Sequence, residues 1–244
     1  MTVVAWTGVV NGQEMLNQYP ADESPAVQLL GVTLDATFVT QYIWRGYDVF
    51  DDSAAFQPSV NWDMGDTGFS ANVWASQPFG SSNEELRELD CILAYGHTLF
   101  SEESYALDMG VNYIYFDYYR ANSHADLHEL GVWLSLPSLV EIGGQTLAPT
   151  YYVAKDWPNE SSSPGVAGWF HVLGLSTDVA VPGLAEGDWF QTLSLGADVT
   201  YNDGAFGADH DWSHATLSIS TSLPAGPLTL TPALHYQVSM DDSV

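Results

Sequence analysis

From Val32 the chain alternates between apolar and polar positions. Val32, Leu34, Ala36, Phe38, Tyr42 and Trp44 share one parity, and Thr33, Asp35, Thr37, Gln41 and Arg45 share the other. Successive side chains of an extended strand point to opposite faces, so this period predicts a strand with one greasy and one wet side. The pattern returns late in the chain. Trp189, Leu193, Leu195, Ala197, Val199 and Tyr201 alternate with Thr192, Ser194, Gly196, Asp198 and Thr200, and aromatic residues stand at both ends of the apolar row. A lipid-facing band bounded by aromatic girdles has this composition.

The same period gives eleven strands, near 29–47, 55–64, 68–78, 87–99, 104–117, 126–141, 145–155, 165–180, 189–202, 212–223 and 227–240. No segment carries a helical period. The links between strands alternate in length. Those at Gly65-Asp66-Thr67, Ser101-Glu102-Glu103, Gly143-Gly144 and Pro224-Ala225-Gly226 are tight, with Gly, Pro and Asp supplying turn geometry, and the link 181–188 is somewhat longer. Those near 48–54, 79–86, 118–125, 156–164 and 203–211 are longer and more polar. Short turns at one end and long loops at the other are the mark of an outer-membrane barrel, with the long, acidic loops facing the exterior. Bacterial single-chain barrels have an even strand number. The expected fold is therefore all-β, an antiparallel up-and-down transmembrane barrel of about twelve strands, with eleven visible and a C-terminal strand lacking. Residues 1–28, with Gly, Pro and acidic residues around the apolar stretch Val3–Val10, read as an N-terminal extension, and 29–244 as the barrel domain.

Composition narrows the function classes. Of 244 residues 46% are hydrophobic and 13% aromatic, too many for a disordered chain even at a net charge of -27. Every apolar stretch is interrupted well before the roughly 18 residues that a membrane-crossing helix needs, so a crossing of the bilayer must use strands. The four basic residues Arg45, Arg87, Arg120 and Lys155 face 31 acidic ones, which excludes a nucleic-acid partner. The single cysteine, Cys91, is a small buried or lipid-facing thiol with no assigned chemistry. The N-terminus lacks the basic region and long apolar core of a secretory signal, which leaves a removed signal or a cytosolic location; the barrel pattern favours the first.

Three segments carry a resemblance. Tyr42-Ile43-Trp44-Arg45-Gly46, then Phe56-Gln57-Pro58-Ser59-Val60, then Gly68-Phe69-Ser70-Ala71-Asn72-Val73-Trp74-Ala75-Ser76 resemble the TorF-type family of porins, which opens on a Tyr-x-x-Arg-Gly strand end and continues to a Gly-Phe-x-x-x-x-Trp-x-Ser strand. The resemblance runs over about 30–117, including Glu88-Leu89-Asp90 and Asp108-x-Gly110-x-x-Tyr113, and is only architectural beyond. It implies an outer-membrane barrel with a transport role.

Candidate functional residues follow from parity. Arg45 is the only basic residue on a polar strand face, sharing the expected lumen with Asp35, Asp90, Asp108 and Asp198. A charge inside a narrow barrel is costly unless paired, so Arg45 is expected to bond to one of these carboxylates, either as a structural ion pair or as a selectivity element. The loop acids Asp48, Asp51 and Asp52 are weak calcium candidates, because calcium takes clustered oxygens, but they lack the spacing of a calcium loop and read first as solvated charge. His124 and His128 look like a ligand pair, yet on a strand that spacing separates them by about 13 Å. No nucleophile motif is present, and no enzymatic activity or cofactor is expected.

The expectation is thus a bacterial outer-membrane channel for passive diffusion of small solutes, cation-preferring because its lumen is acidic, with the lipid bilayer and permeant ions as partners and homo-oligomers allowed. The alternative is a cell-surface structural protein that assembles with copies of itself through exposed strand edges.

Overall fold

The computed structural model describes residues 31–80, 83–121, 123–160, 165–182 and 190–241. The N-terminal extension, any strand after 241 and most of the link 181–188 lie outside the described residues.

The strands are β1 (Val32–Val39), β2 (Ile43–Trp44), β3 (Tyr47–Asp48), β4 (Ala55–Asp63), β5 (Phe69–Pro78), β6 (Glu88–Leu99), β7 (Leu107–Asp117), β8 (Leu127–Ser135), β9 (Val140–Ile142), β10 (Gln145–Pro158), β11 (Gly168–Pro182), β12 (Phe190–Asp203), β13 (His210–Ser220), β14 (Leu223–Ala225), β15 (Leu228–Leu230) and β16 (Ala233–Ser239). Among the described residues the only helical segments are single 3-10 turns. One antiparallel sheet runs β1-β4-β5-β6-β7-β8-β10-β11-β12-β13-β16, with β9 added to β10. The main path is a meander of eleven strands. Its nine inner members have nine residues or more, and the two shortest, β1 and β16, lie at its ends. Nine to eleven tilted residues suffice to cross a bilayer.

The eleven expected strands correspond to this meander, and four of them are cut back where small hairpins begin. The segment 29–47 is not one strand, because β1 stops at Val39 and the chain then folds into the separate hairpin β2–β3. The segment 126–141 ends as a strand at Ser135, where a small β9–β10 hairpin takes over. The segments 212–223 and 227–240 shorten to β13 and β16, with the hairpin β14–β15 between them.

Burial along the strands follows the pleat. In β6, Glu88, Asp90, Ile92 and Ala94 are buried while Cys91, Leu93 and Tyr95 are exposed; in β8, Leu127, Glu129, Gly131, Trp133 and Ser135 are buried while Leu130 and Val132 are exposed. The buried parity mixes polar with apolar groups and the exposed parity is apolar, the reverse of a soluble sheet. Leu34 is 74% exposed, Phe38 50%, Leu173 48% and Leu217 58%.

The sheet must be strongly curved. Residues of the β2–β3 hairpin, which leaves the end of β1, touch β8, β10 and β11. In a flat sheet β10 would lie six strand spacings from β1, roughly 29 Å away. Buried side chains gather on the concave side in three clusters: Val39, Tyr42, Phe50, Ala55 and Trp74; Ala94, Trp133, Tyr152, Ala154 and Val172; and Ile92, Ile114, Phe116 and Leu127, against which Trp44 and Phe206 pack. These clusters lie mainly toward the end that carries the long loops. At the short-turn end the concave side opens into a cavity of about 380 Å³, lined by residues that include Asp63, Ser70, Thr98, Asp108, Trp133 and Ser135.

Candidate functional site: a charged hairpin inside the sheet

Trp44 pairs with Tyr47 across a two-residue turn in which Arg45 has φ 49° and Gly46 φ 97°. Two successive residues with positive φ make the turn type that fits the twist of a tight hairpin, and glycine adopts it without strain at the second position. Before that turn, the bend at Thr40 and Gln41 carries Tyr42 and Trp44 away from the outward row of Leu34 and Phe38. Tyr42 is 5% exposed and packs on Phe50 and Trp74, with ring centroids 5.5 and 5.7 Å away. Trp44 meets Phe206 at 5.3 Å and Phe116 at 5.8 Å, both edge to face. Parity places both rings on the lipid side; the bend at Thr40 and Gln41, between the end of β1 and the start of β2, breaks the parity.

The turn points Arg45 at the opposite wall. Its Nη1 donates to Asp156 Oδ2 of β10 at 2.8 Å, and its Nη2 bonds to Glu129 Oε2 of β8. The guanidinium carbon lies 4.4 Å from the centre of the Phe170 ring and 4.8 Å from that of Trp44. A planar cation can use its edge for carboxylates and its faces for aromatic rings at once. Both carboxylate side chains are fully buried. Burial alone would weaken the arginine as a base, but Glu129 and Asp156 outweigh it and hold the charge in place.

A second layer orders the carboxylates. The Tyr152 hydroxyl donates to Glu129 Oε1, and Asn112 Nδ2 donates to Tyr152 Oη at 3.2 Å. Gly131 makes this approach possible, since a Cβ there would overlap the Tyr152 hydroxyl and the Asn112 amide oxygen. On the neighbouring wall Tyr42 Oη donates to Glu88 Oε2 at 3.2 Å, and Tyr118 bonds to the same carboxylate. Burial first, and then Glu88 and Asp90, raise the Tyr42 and Tyr118 phenols well above the usual range, so both remain protonated donors.

Five side chains on polar parity were expected to share the lumen. Arg45 and Asp90 line one small cavity together with Glu129, Tyr42, Trp44 and Trp74. The other three stand elsewhere. Asp35 accepts from Asn61 Nδ2 at 2.6 Å, Asp108 accepts from the Thr98 hydroxyl at 2.6 Å beside the wide cavity, and Asp198 is bonded by Thr216. The expected partners of Arg45 are corrected to Glu129 and Asp156. Arg45 lies beyond the end of β1, which holds Asp35, and the β2–β3 hairpin carries it to the far wall. Glu129 was legible as inward-facing, because it shares parity with Gly131 and Trp133; Asp156 fell just beyond the expected end of its strand.

In the outer loop Asp48 Oδ2 accepts from Gln41 Nε2 and from the Asp52 backbone amide, both at 2.7 Å, and Asp52 Oδ1 accepts from Gln41 at 3.0 Å. Asp51 and Asp52 both have positive φ. Among the described residues no group of three or more His, Cys, Asp or Glu is arranged to hold a metal. His124 lies in the loop before β8 and pairs with Glu160 at 2.9 Å, while His128, on β8, meets the Tyr113 hydroxyl at 2.7 Å. The spacing on a single strand is therefore corrected, and the two imidazoles have separate partners.

The inward hairpin and the five strands that follow it, β4 to β8, fall within one matched stretch of the chain. Residues 23–136 match the family model of a bacterial protein of unknown function, Gcw_chp. This match spans the segments in which the TorF-type resemblance was read, and it carries no porin assignment. No curated protein and no solved structure matches the chain.

Proposed function

We propose that the chain is an outer-membrane β-barrel whose lumen is narrowed by the β2–β3 hairpin, and that it passes small solutes, preferring cations. The reading rests above all on the inversion of burial: the outward parity is apolar around the sheet, from Leu34 and Val60 through Leu93, Val132 and Leu173 to Leu217 and Val238. A monomeric soluble protein rarely exposes a contiguous apolar surface of this extent, and the favourable solvent for it is hydrocarbon. Aromatic groups cluster toward the strand ends. His128 stacks on Trp157 and Tyr201 meets Trp212 at the long-loop end, while Phe69 meets Tyr95 at the other. The interior supplies the charge sign. Glu88, Asp90, Glu129 and Asp156 are all buried, and Arg45 pairs with the last two.

The hairpin distinguishes this barrel from an open pore. It fills the half of the interior next to the long loops, and the 380 Å³ cavity remains at the short-turn end. Conductance should therefore be small. The test is reconstitution into planar bilayers with a salt gradient, after folding in detergent has been checked by the shift in electrophoretic mobility on boiling. Small, cation-selective steps are expected; a folded protein that partitions into aqueous buffer without detergent would overturn the reading.

A second reading has one observation in its favour. Among the described residues β1 and β16 each pair with a single neighbour, so the sheet presents two edges, and such edges template pairing with another chain. Under that reading the protein is a surface scaffold that assembles edge to edge. Particles of high mass that survive in detergent, without conductance, would support it.

A further inference from the structure

We propose that residues 3–10, Val-Val-Ala-Trp-Thr-Gly-Val-Val, are the twelfth strand, which lies between β1 and β16, antiparallel to both, and closes the barrel within one chain. The inference deepens the channel reading and rests on it for the need to close the sheet, but the pairing itself is measured without conduction.

Direction is the first argument. Ten successive antiparallel pairings lead from β1 to β16, so the two edge strands run the same way, toward the long loops. Joined directly they would be parallel, in a sheet whose other pairings are all antiparallel. A strand between them that runs the opposite way is antiparallel to both, and it brings the count to twelve, an even number as in bacterial single-chain barrels. A segment one link upstream of β1 has this direction by connectivity, as in any hairpin. The link 11–31 reaches up to roughly 70 Å, ample for a connection at the short-turn end. Its last residue is fixed there, where the Gly31 carbonyl accepts from the Asp63 amide at 2.7 Å.

The two edges also face one gap. The β2–β3 hairpin leaves the end of β1, and its Tyr47 hydroxyl lies in the field of the Asp241 carboxylate, just past β16. The Tyr47 ring meets Phe206, in the connection between β12 and β13, at 5.9 Å. A sheet that brings residue 241 to a hairpin hung from β1 has come round on itself. Among the described residues Leu34 of β1 is the most exposed large hydrophobic one, as befits a strand with a neighbour on one side only. In lipid such an edge leaves backbone N–H and C=O groups unsatisfied, so a strand that pairs with it is strongly favoured.

Residues 3–10 fit the gap in length and pattern. Eight residues compare with eight in β1 and seven in β16. The segment has no charge and no proline, and Val3, Val4, Thr7, Val9 and Val10 are β-branched, whereas the link 11–31 holds Pro20, Pro25 and three acidic residues. Trp6 takes the lipid side with Leu34 and Phe38, and the smaller Ala5 and Thr7 take the inner side between Thr37 of β1 and Gln237 of β16.

The test starts with hydrogen exchange of the unmodified, detergent-folded protein. The amides of residues 3–10 should exchange at least a hundredfold more slowly than in urea, and rapid exchange overturns the proposal. Disulfide trapping then identifies the neighbours. In a Cys91→Ser background, Ala5→Cys or Thr7→Cys should form an intramolecular bond on mild oxidation with Thr37→Cys and, in a separate variant, with Gln237→Cys, while Trp6→Cys should form neither. A bond between Thr37→Cys and Gln237→Cys themselves overturns the proposal in favour of direct closure. Bonds that form only between two molecules overturn it in favour of edge-to-edge assembly. Conduction by a protein whose residues 3–10 exchange rapidly overturns the closure and leaves the channel reading standing. Protected amides and both intramolecular bonds, in a protein that never conducts, support the closure and overturn the channel reading.

Discussion

Arg45 donates to Asp156 at 2.8 Å although 111 residues separate them, and the bond ties the first loop of the sheet to the middle of its opposite wall. Removing the arginine leaves two fully buried carboxylates without their cation. Arg45→Ala should therefore lower stability by roughly 3–5 kcal/mol, the range for breaking a buried ion pair from one side. Urea unfolding of the lipid-reconstituted protein measures this. Arg45→Lys should recover only part of the loss, because an ammonium cannot hold both carboxylates through a planar fork while lying against Phe170. If the hairpin is the constriction, single-channel conductance of Arg45→Ala should rise several-fold.

Gly131 offers a test of the layer behind that ion pair. Its α-carbon faces the Tyr152 hydroxyl so closely that Gly131→Ala should cost about 1–3 kcal/mol through overpacking. Tyr152→Phe removes the obstructing oxygen, along with its bond to Glu129. The double variant should be less destabilised than the sum of the single ones, and a double-mutant cycle by urea titration reads the difference.

Lipid contact is tested on the outward face. Leu173 is 48% exposed in the middle of β11. In water, Leu173→Arg would change stability by no more than about 0.5 kcal/mol, as at most exposed sites. At the centre of a bilayer the same change should cost about 2–4 kcal/mol. Folding efficiency into liposomes decides between the two.

Orientation gives a further expected outcome. In a Cys91→Ser background, Arg120→Cys, in the exposed loop after β7, should react with a membrane-impermeant maleimide on intact cells, and Gly144→Cys, in the turn between β9 and β10, should react only after lysis. Ala208, though in a polar connection, is 7% exposed, and so Asp209 beside it is the better second position on the long-loop side. Equal labelling of both ends would refute the assignment of long loops to the exterior.

The sheet was largely legible in the sequence, because period-two alternation is the direct imprint of one lipid-like and one polar face. Leu34 and Phe38 in β1, and Leu195 in β12, are exposed as their parity requires. The hairpin was not legible. Tyr42 and Trp44 continue the numerical parity of β1, so counting alone cannot reveal that the chain bends between Val39 and Ile43. Arg45-Gly46 was the signal, since glycine at a two-residue turn permits reversal, but arginine at positive φ is uncommon and gives no such hint by itself. The partners of Arg45 were out of reach for a different reason. Parity states which face a side chain joins, whereas the curvature of the sheet decides which strands meet across it.

The order in which the chain can reach this structure follows from where the hairpin docks. A two-residue hairpin such as β2–β3 closes on its own residues within microseconds. Its anchors, Glu129 and Asp156, lie 84 and 111 residues away, and they become neighbours only when β8 and β10 have paired. Contacts of such separation form late, after the loop entropy between them has been lost to other pairings. The hairpin is therefore among the earliest elements to form and among the last to be seated. The sheet has to curl around a charged guest already shaped for it, and a chain interrupted before Asp156 would carry Arg45 with one of its two anchors missing.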